Sequence, residues 1–320
     1  MARYILWRLV WSAILLAFIF TLVFFVSSMT MLRYWGRPPY DLHQEFSFTV
    51  TRFMDYVHNI ITEWNWGTRA GTYPEPVWDY AWRHMVVTVR LNMLALGIYL
   101  PVSIILGTFS ALKQNSLFDK TVNTFVMLFG SIPHFILMYL LIIALAIRNR
   151  WLPYNFPGFE TPDTSRMILG LVIPMIALCM PAILRLSRLV RGEFIESQHD
   201  DYLLLCKTKG LTGGQALRRH AFRNSVVPIM PELTPTFLLV LGGSFFVEMI
   251  YGVNGAARLM FHSVLTSCPS GGWCPQINIP MTMAMTMFYA SFGLGFALLV
   301  DLIYPIVDPR IKIGAKPTDT

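Results

Sequence analysis

Charge is scarce in this chain. Only 13% of its 320 residues are Asp, Glu, Lys or Arg, while 55% are apolar and the mean hydropathy is +0.52. Soluble domains carry roughly 25% charged residues, so the shortage excludes a cytosolic enzyme, a disordered tail and a fibrous repeat. Motifs that carry chemistry are missing as well. The sequence contains no Gly-x-x-x-x-Gly-Lys-Ser/Thr phosphate loop, no Gly-x-Ser-x-Gly elbow, no His-Glu-x-x-His pair and no Gly-x-Gly-x-x-Gly turn. No catalytic residue is assigned, and work done by this chain must draw its energy from another one. Cysteine is also sparse: Cys179, Cys206, Cys268 and Cys274 form no Cys-x-x-Cys pair, and no histidine cluster has metal-ligand spacing. Neither a metal nor a cofactor is therefore expected in this chain. Cys268 and Cys274 flank Pro-Ser-Gly-Gly-Trp, which can bend them together. A disulfide forms there if that side is oxidising, and two free thiols are the alternative.

Long uncharged runs are abundant instead. About 20 apolar residues are needed to cross the hydrocarbon core as a helix, and six such spans are expected: 9–32, 90–112, 121–147, 167–190, 226–250 and 276–304. The fifth is the weakest, with Glu232 and Glu248 near its ends and three prolines in its first half. The expected architecture is an all-α membrane protein. A large loop, 33–89, follows the first span, a polar segment, 191–224, follows the fourth, and a shorter loop, 251–275, precedes the sixth. The first span exceeds the about 7–15 residues of a signal-peptide core and is followed by no small-residue cleavage site, so it is read as a retained anchor.

Lys and Arg alternate between the two sides, and eight of the 25 lie between Arg185 and Ser225. Cytoplasmic loops accumulate positive charge, which places that segment, the N-terminal residues 1–8 and the tail 305–320 inside, and the loops 33–89 and 251–275 outside. The net charge of +7 is then topological. Nucleic acid is excluded as a partner, because that would need a soluble basic face.

The informative polar sequence is the inner segment. From Asp201 the pattern is helical, with Tyr202, Leu205, Cys206 and Lys209 on one stripe, and Gly210 is a natural helix stop. A second short helix from Thr212 places Ala216, Leu217, His220 and Ala221 on one side and Arg218, Arg219 and Arg223 on the other. A solvated basic loop touching anionic membrane lipid is the simpler reading, but it requires neither paired helices nor a glycine stop.

These residues resemble a known family. Asp201-Tyr202, then Cys206-Lys207-Thr208-Lys209-Gly210-Leu211, then Leu217 to Asn224 and Pro228, look like the cytoplasmic loop of permease subunits of ABC importers in the dipeptide, oligopeptide and nickel group. Similar stretches run along almost the whole chain: Arg3 to Leu9, Trp66-Gly67-Thr68, Ser131-Ile132-Pro133-His134-Phe135, Trp151-Leu152-Pro153, Gly242-Gly243-Ser244, Asp301 to Tyr304 and Asp308 to Ile311. The chain departs from the family at Cys206, where alanine is usual. It departs again at 252–259, which lacks the usual Pro-Gly-Leu-Gly turn, and in its aromatic outer loop. The resemblance implies the type I permease fold of ABC importers, in a prokaryotic inner or plasma membrane with both termini cytoplasmic. It also implies a second homologous permease, two ABC ATPase subunits that bind ATP and Mg, and an external substrate-binding protein. Peptides are the implied cargo, with nickel chelates and other small solutes as alternatives. The inner segment would be the coupling helix that docks on an ATPase. Tyr202, Leu203, Leu204 and Leu205 would fill an apolar groove there, and Lys207 and Lys209 would set register at its rim. Asp201, Cys206, Gly210, Leu211, Arg218, Arg219, His220 and Asn224 complete that site.

Polar groups are costly in lipid and should face the bundle interior. His134 beside Pro133, and Glu248 with Gly242 and Gly243, are therefore candidates for the wall of a path. Two other classes remain as rivals. A gradient-driven transporter predicts mid-membrane carboxylates and inverted repeats, and a membrane enzyme predicts clustered catalytic residues; neither pattern is evident.

Overall fold

The computed structural model describes residues 2–34, 42–68, 75–130, 132–199, 206, 208–210, 215, 225, 227–267, 273–275 and 277–307. The described elements are helices α1 (Ala2–Tyr34), α2 (Leu42–Glu63), α3 (Val77–Leu112), α4 (Leu117–Gly130), α5 (His134–Leu141), α6 (Thr164–His199), α7 (Met230–Tyr251), α8 (Ala256–Val264) and α9 (Ile279–Val307), with three-residue strands β1 (Leu265–Ser267) and β2 (Trp273–Pro275) between α8 and α9. Among the described residues, five helices are long and apolar enough to cross a membrane. The count becomes six when α4 and the helix beginning at His134 are taken as one bent span.

Side-chain caps explain several helix starts. The Ser116 hydroxyl accepts the Asp119 N–H at 3.3 Å before α4, and Asp163 accepts the Ser165 and Arg166 N–H groups at 3.0 and 3.2 Å before α6. Asn278 accepts the Met281 N–H at 3.1 Å before α9. Gly252 closes α7 in the left-handed region with φ 70°, where glycine carries no Cβ penalty.

Two expectations need correction. The stretch 33–89 is not one loop, because α2 lies within it and α3 begins at Val77, well before residue 90. Phe46, Phe53 and Tyr56 of α2 pack on α1, with Phe24–Phe53, Phe24–Tyr56 and Phe25–Phe46 ring centroids 5.3, 5.5 and 5.7 Å apart. That is a helical stripe of aromatics, which sequence reading took as a feature of a loop. The span expected at 121–147 is also broken. α4 and the helix from His134 are bent by 101°. Pro133, extended at φ −58° and ψ 143°, lacks an N–H and disfavours helix in the residue before it. Beyond α5 the chain continues as a π-helix, Ile142–Arg148. α6 also runs past the span expected at 167–190, continuing as helix to His199.

Two compact units divide the chain. One comprises α1, α2, α3 as far as Arg90, α8, both strands and α9 as far as Leu294. Its core joins Trp66 to Val77, Ala81 and Met85 of α3, Ala256 of α8 and Met281, Ala284 and Met285 of α9. Gly67, at φ 90°, allows the backbone to lie against Pro280, where a Cβ would stand 3.0 Å from the proline ring. The Thr88 hydroxyl accepts the Ala256 N–H at 2.8 Å.

The other unit holds α3 from Leu91 through Val253, with α9 from Gly295 onward. Here α6 packs on α4, α5 and α7, and Tyr99, Ile173, Leu178, Leu186, Phe194 and Phe237 are fully buried. Gly107 lets α3 approach α6 closely: a Cβ there would stand 2.6 Å from the Ser187 carbonyl oxygen and from Val190 Cβ. Because one obstacle is backbone, Gly107→Ala must push two helices apart. It is expected to cost about 1–3 kcal/mol or more, visible as a lowered melting midpoint in mild detergent. An unchanged midpoint would mean the helices are not in this contact.

Candidate functional site

Polar and small residues of the second unit gather at two places. The first is the break between α4 and α5. His134 opens α5 against α7, and a Cβ built on Gly243 would lie 2.9 Å from His134 Cδ2 and 3.4 Å from its Nε2. Only glycine leaves room for the imidazole at that position. His134 Nε2 is buried and makes no hydrogen bond among the described residues, which in a folded protein calls for an explanation. Phe135 and Phe246 close the contact with ring centroids 5.5 Å apart. Pro133, half of the proposed pair, sets the break itself and is exposed. Gly242 differs from its neighbour, since nothing lies within 4 Å of a Cβ there. Glu248 is fully buried on α7. The structure thus brings His134 and Gly243 together and puts Gly242 in open space.

The second place is the end of α3, the start of α4 and the last turns of α6. Asp119, 2% exposed, receives Arg191 in a two-pronged pair, Nε–Oδ1 2.6 Å and Nη2–Oδ2 2.7 Å. It also accepts the Ser110 hydroxyl, the Asn115 N–H at 3.0 Å and the Asn123 amide at 2.9 Å. A second bridge joins Arg185 of α6 to Glu232 of α7, Nε–Oε1 2.6 Å. Sequence reading anticipated neither pair, and for Asp119–Arg191 the reason is plain. Its signal was a lone aspartate entering one apolar run and an arginine leaving another, which a charge count assigns to topology.

Of the residues expected to contact an ATPase, Cys206 is helical and half-buried, while Lys209 and Gly210 form an exposed turn. Gly210 has φ 86°, the left-handed geometry that glycine favours at a helix end. Asp201, Tyr202, Leu203, Leu205, Lys207, Leu211, Arg218, Arg219, His220 and Asn224 lie outside the described residues. So does Cys268, and with it the candidate bridge to Cys274. Among the described residues no three His, Cys, Asp or Glu side chains converge as a metal site would need.

A family model described as the inner membrane component of binding-protein-dependent transport systems matches residues 103–313. The dipeptide transport system permease protein DppB of Bacillus subtilis is 29% identical over 267 residues, covering 83% of this chain and 80% of that protein. The oligopeptide transport system permease proteins OppB of Haemophilus influenzae and Salmonella typhimurium are 27% and 29% identical over 226 residues, covering 71% of this chain and 69% of each relative.

Proposed function

The chain belongs to the family of binding-protein-dependent transport system inner membrane components, and from that membership we propose that it is the permease subunit of an ATP-driven peptide importer. The observation that carries this reading is the family match over 103–313, joined to relatives named for dipeptide and oligopeptide transport along most of their length. It is a multi-pass membrane protein and a transport component, with hydrolysis assigned to separate ATPase subunits that bind ATP and Mg.

In this reading the chain forms half of a path completed by a second homologous permease. An external binding protein delivers peptide, and two ATPases dock inside on the segment 201–224. Both termini are cytoplasmic. A two-state ATPase dimer moves the docking helix as a rigid body, and the membrane helices then expose the path to alternate sides. The contact of His134 with Gly243 supports a place on that path: the buried Nε2 has no hydrogen-bond partner among the described residues, and bending at the break before α5 would bring it to a passing peptide amide. Leu203 and Leu205 with Tyr202 supply the apolar side of the docking helix, and Lys207 and Lys209 its rim.

Uptake tests this directly. Vesicles containing the chain with its partner permease and ATPases are expected to accumulate labelled trialanine only when ATP and the external binding protein are both supplied. Accumulation driven by an ion gradient without ATP would contradict the importer reading.

A further inference from the structure

A carboxylate that is almost fully buried costs stability unless it is paired and fully hydrogen-bonded, and Asp119 is both. Its partners come from four places in the chain: Ser110 on α3, Asn115 in the α3–α4 turn, Asn123 on α4 and Arg191 on α6. One group therefore holds three helices in a single geometry. The two-pronged Arg191 contact fixes orientation as well as distance, since a planar guanidinium meets a carboxylate with two parallel bonds. Just before Arg191, α3 and α6 approach closely at Gly107, where an added Cβ would stand 2.6 Å from the Ser187 carbonyl oxygen.

The position of this joint in the chain gives it direction. From Arg191, α6 runs on only to His199 before the inner polar segment begins. From Asp119, α4 runs to Gly130, and the chain then breaks and re-enters a helix at His134, which lies against Gly243. We propose that the Asp119–Arg191 pair is a positioning joint that passes displacement of α6 to α4, and so to the His134–Gly243 contact. The inference rests on the importer reading above. It adds that Asp119 and Arg191 are needed for coupling and are dispensable for assembly. A fully satisfied buried polar network rigidifies the helices it joins, so that they move together.

Arg191→Lys is the decisive variant, because it keeps the charge and loses the two-pronged geometry. Asp119→Asn, of the same shape, is its companion. In the complete complex in vesicles, with trialanine and the external binding protein, both variants are expected to assemble with the ATPases in wild-type amount and to keep basal ATP hydrolysis within about two-fold. Peptide uptake per ATP hydrolysed should fall about ten-fold, the scale of a typical coupling free energy. A joint also predicts a spectroscopic change. Spin labels on Met127 of α4 and Leu238 of α7, both exposed, should change separation when a non-hydrolysable ATP analogue binds the wild type, and that change should be lost in Arg191→Lys. Uptake, hydrolysis and complex yield falling in proportion would overturn the proposal by showing a purely structural pair. Wild-type uptake per ATP, or an undiminished change in label separation, would overturn it by showing that the geometry is not used. If the wild-type chain recovers no ATPase at all, the importer reading fails first and takes this inference with it.

Discussion

Tyr202→Asp combined with Leu205→Asp is expected to abolish recovery of ATPase subunits with the chain while its insertion into the membrane stays intact. In the importer reading proposed above, the segment 201–224 would dock through the apolar stripe that the sequence places at Tyr202 and Leu205, and two carboxylates on that stripe would have to be buried unpaired. The penalty is several kcal/mol for each. Gly210→Pro reaches the same end through the backbone. Gly210 holds φ 86°, whereas proline is locked near −65°, so the turn at Gly210 cannot form. The measurement is co-purification from mild detergent, with a surface-exposed tag reporting insertion. ATPase recovery at the wild-type level in either variant would rule out the segment as the docking site.

The second large effect is expected at Gly243. Valine there places branched carbon where the His134 ring already stands 2.9 Å from an added Cβ, so the imidazole must leave the contact or α5 must shift on α7. Peptide uptake is expected to fall at least ten-fold, with assembly and ATPase recovery preserved, because the residues that pack α6 on α4 are untouched. The contact can be isolated by a double-mutant cycle. His134→Ala in the Gly243→Ala background should restore part of what Gly243→Ala loses, with an interaction of about 0.5–3 kcal/mol. Strict additivity, or normal uptake by Gly243→Val, would mean that the two residues do not share a working contact. Gly242 is the matched control, since a Cβ there meets nothing and alanine should be nearly silent.

Much of this architecture could be read from the sequence, for a simple physical reason. In lipid every backbone polar group must be satisfied within the segment, so spans are long uncharged helices, and runs without charge are visible by inspection. Finer features were hidden by the same property. The break before His134 interrupts a stretch apolar on both sides, and Pro133 alone does not distinguish a kink from a full bend of 101°. α2 is amphipathic, with Phe46, Phe53 and Tyr56 facing α1, but its polar half diluted the signal and its place between spans suggested a loop. The pair Asp119–Arg191 joins residues 72 apart in the chain, and a charge at a span end is normally explained by the membrane surface. By contrast, the burial of Glu248 and of His134 Nε2 was legible because polar groups inside apolar spans are costly and call for a reason, whereas the sequence did not separate Gly243 from Gly242. The stop at Gly210 was legible because a helix end that needs a left-handed residue favours glycine.

The central claim is that this chain is one permease of a larger, ATP-driven assembly. It is tested most directly by purifying the tagged wild-type chain from its native membrane in mild detergent and identifying every co-purifying chain by mass spectrometry. The importer reading predicts two Walker-type ATPases and a second six-span permease in stoichiometric amount. A stable monomer or homodimer, recovered under conditions that keep other membrane complexes whole, would contradict it.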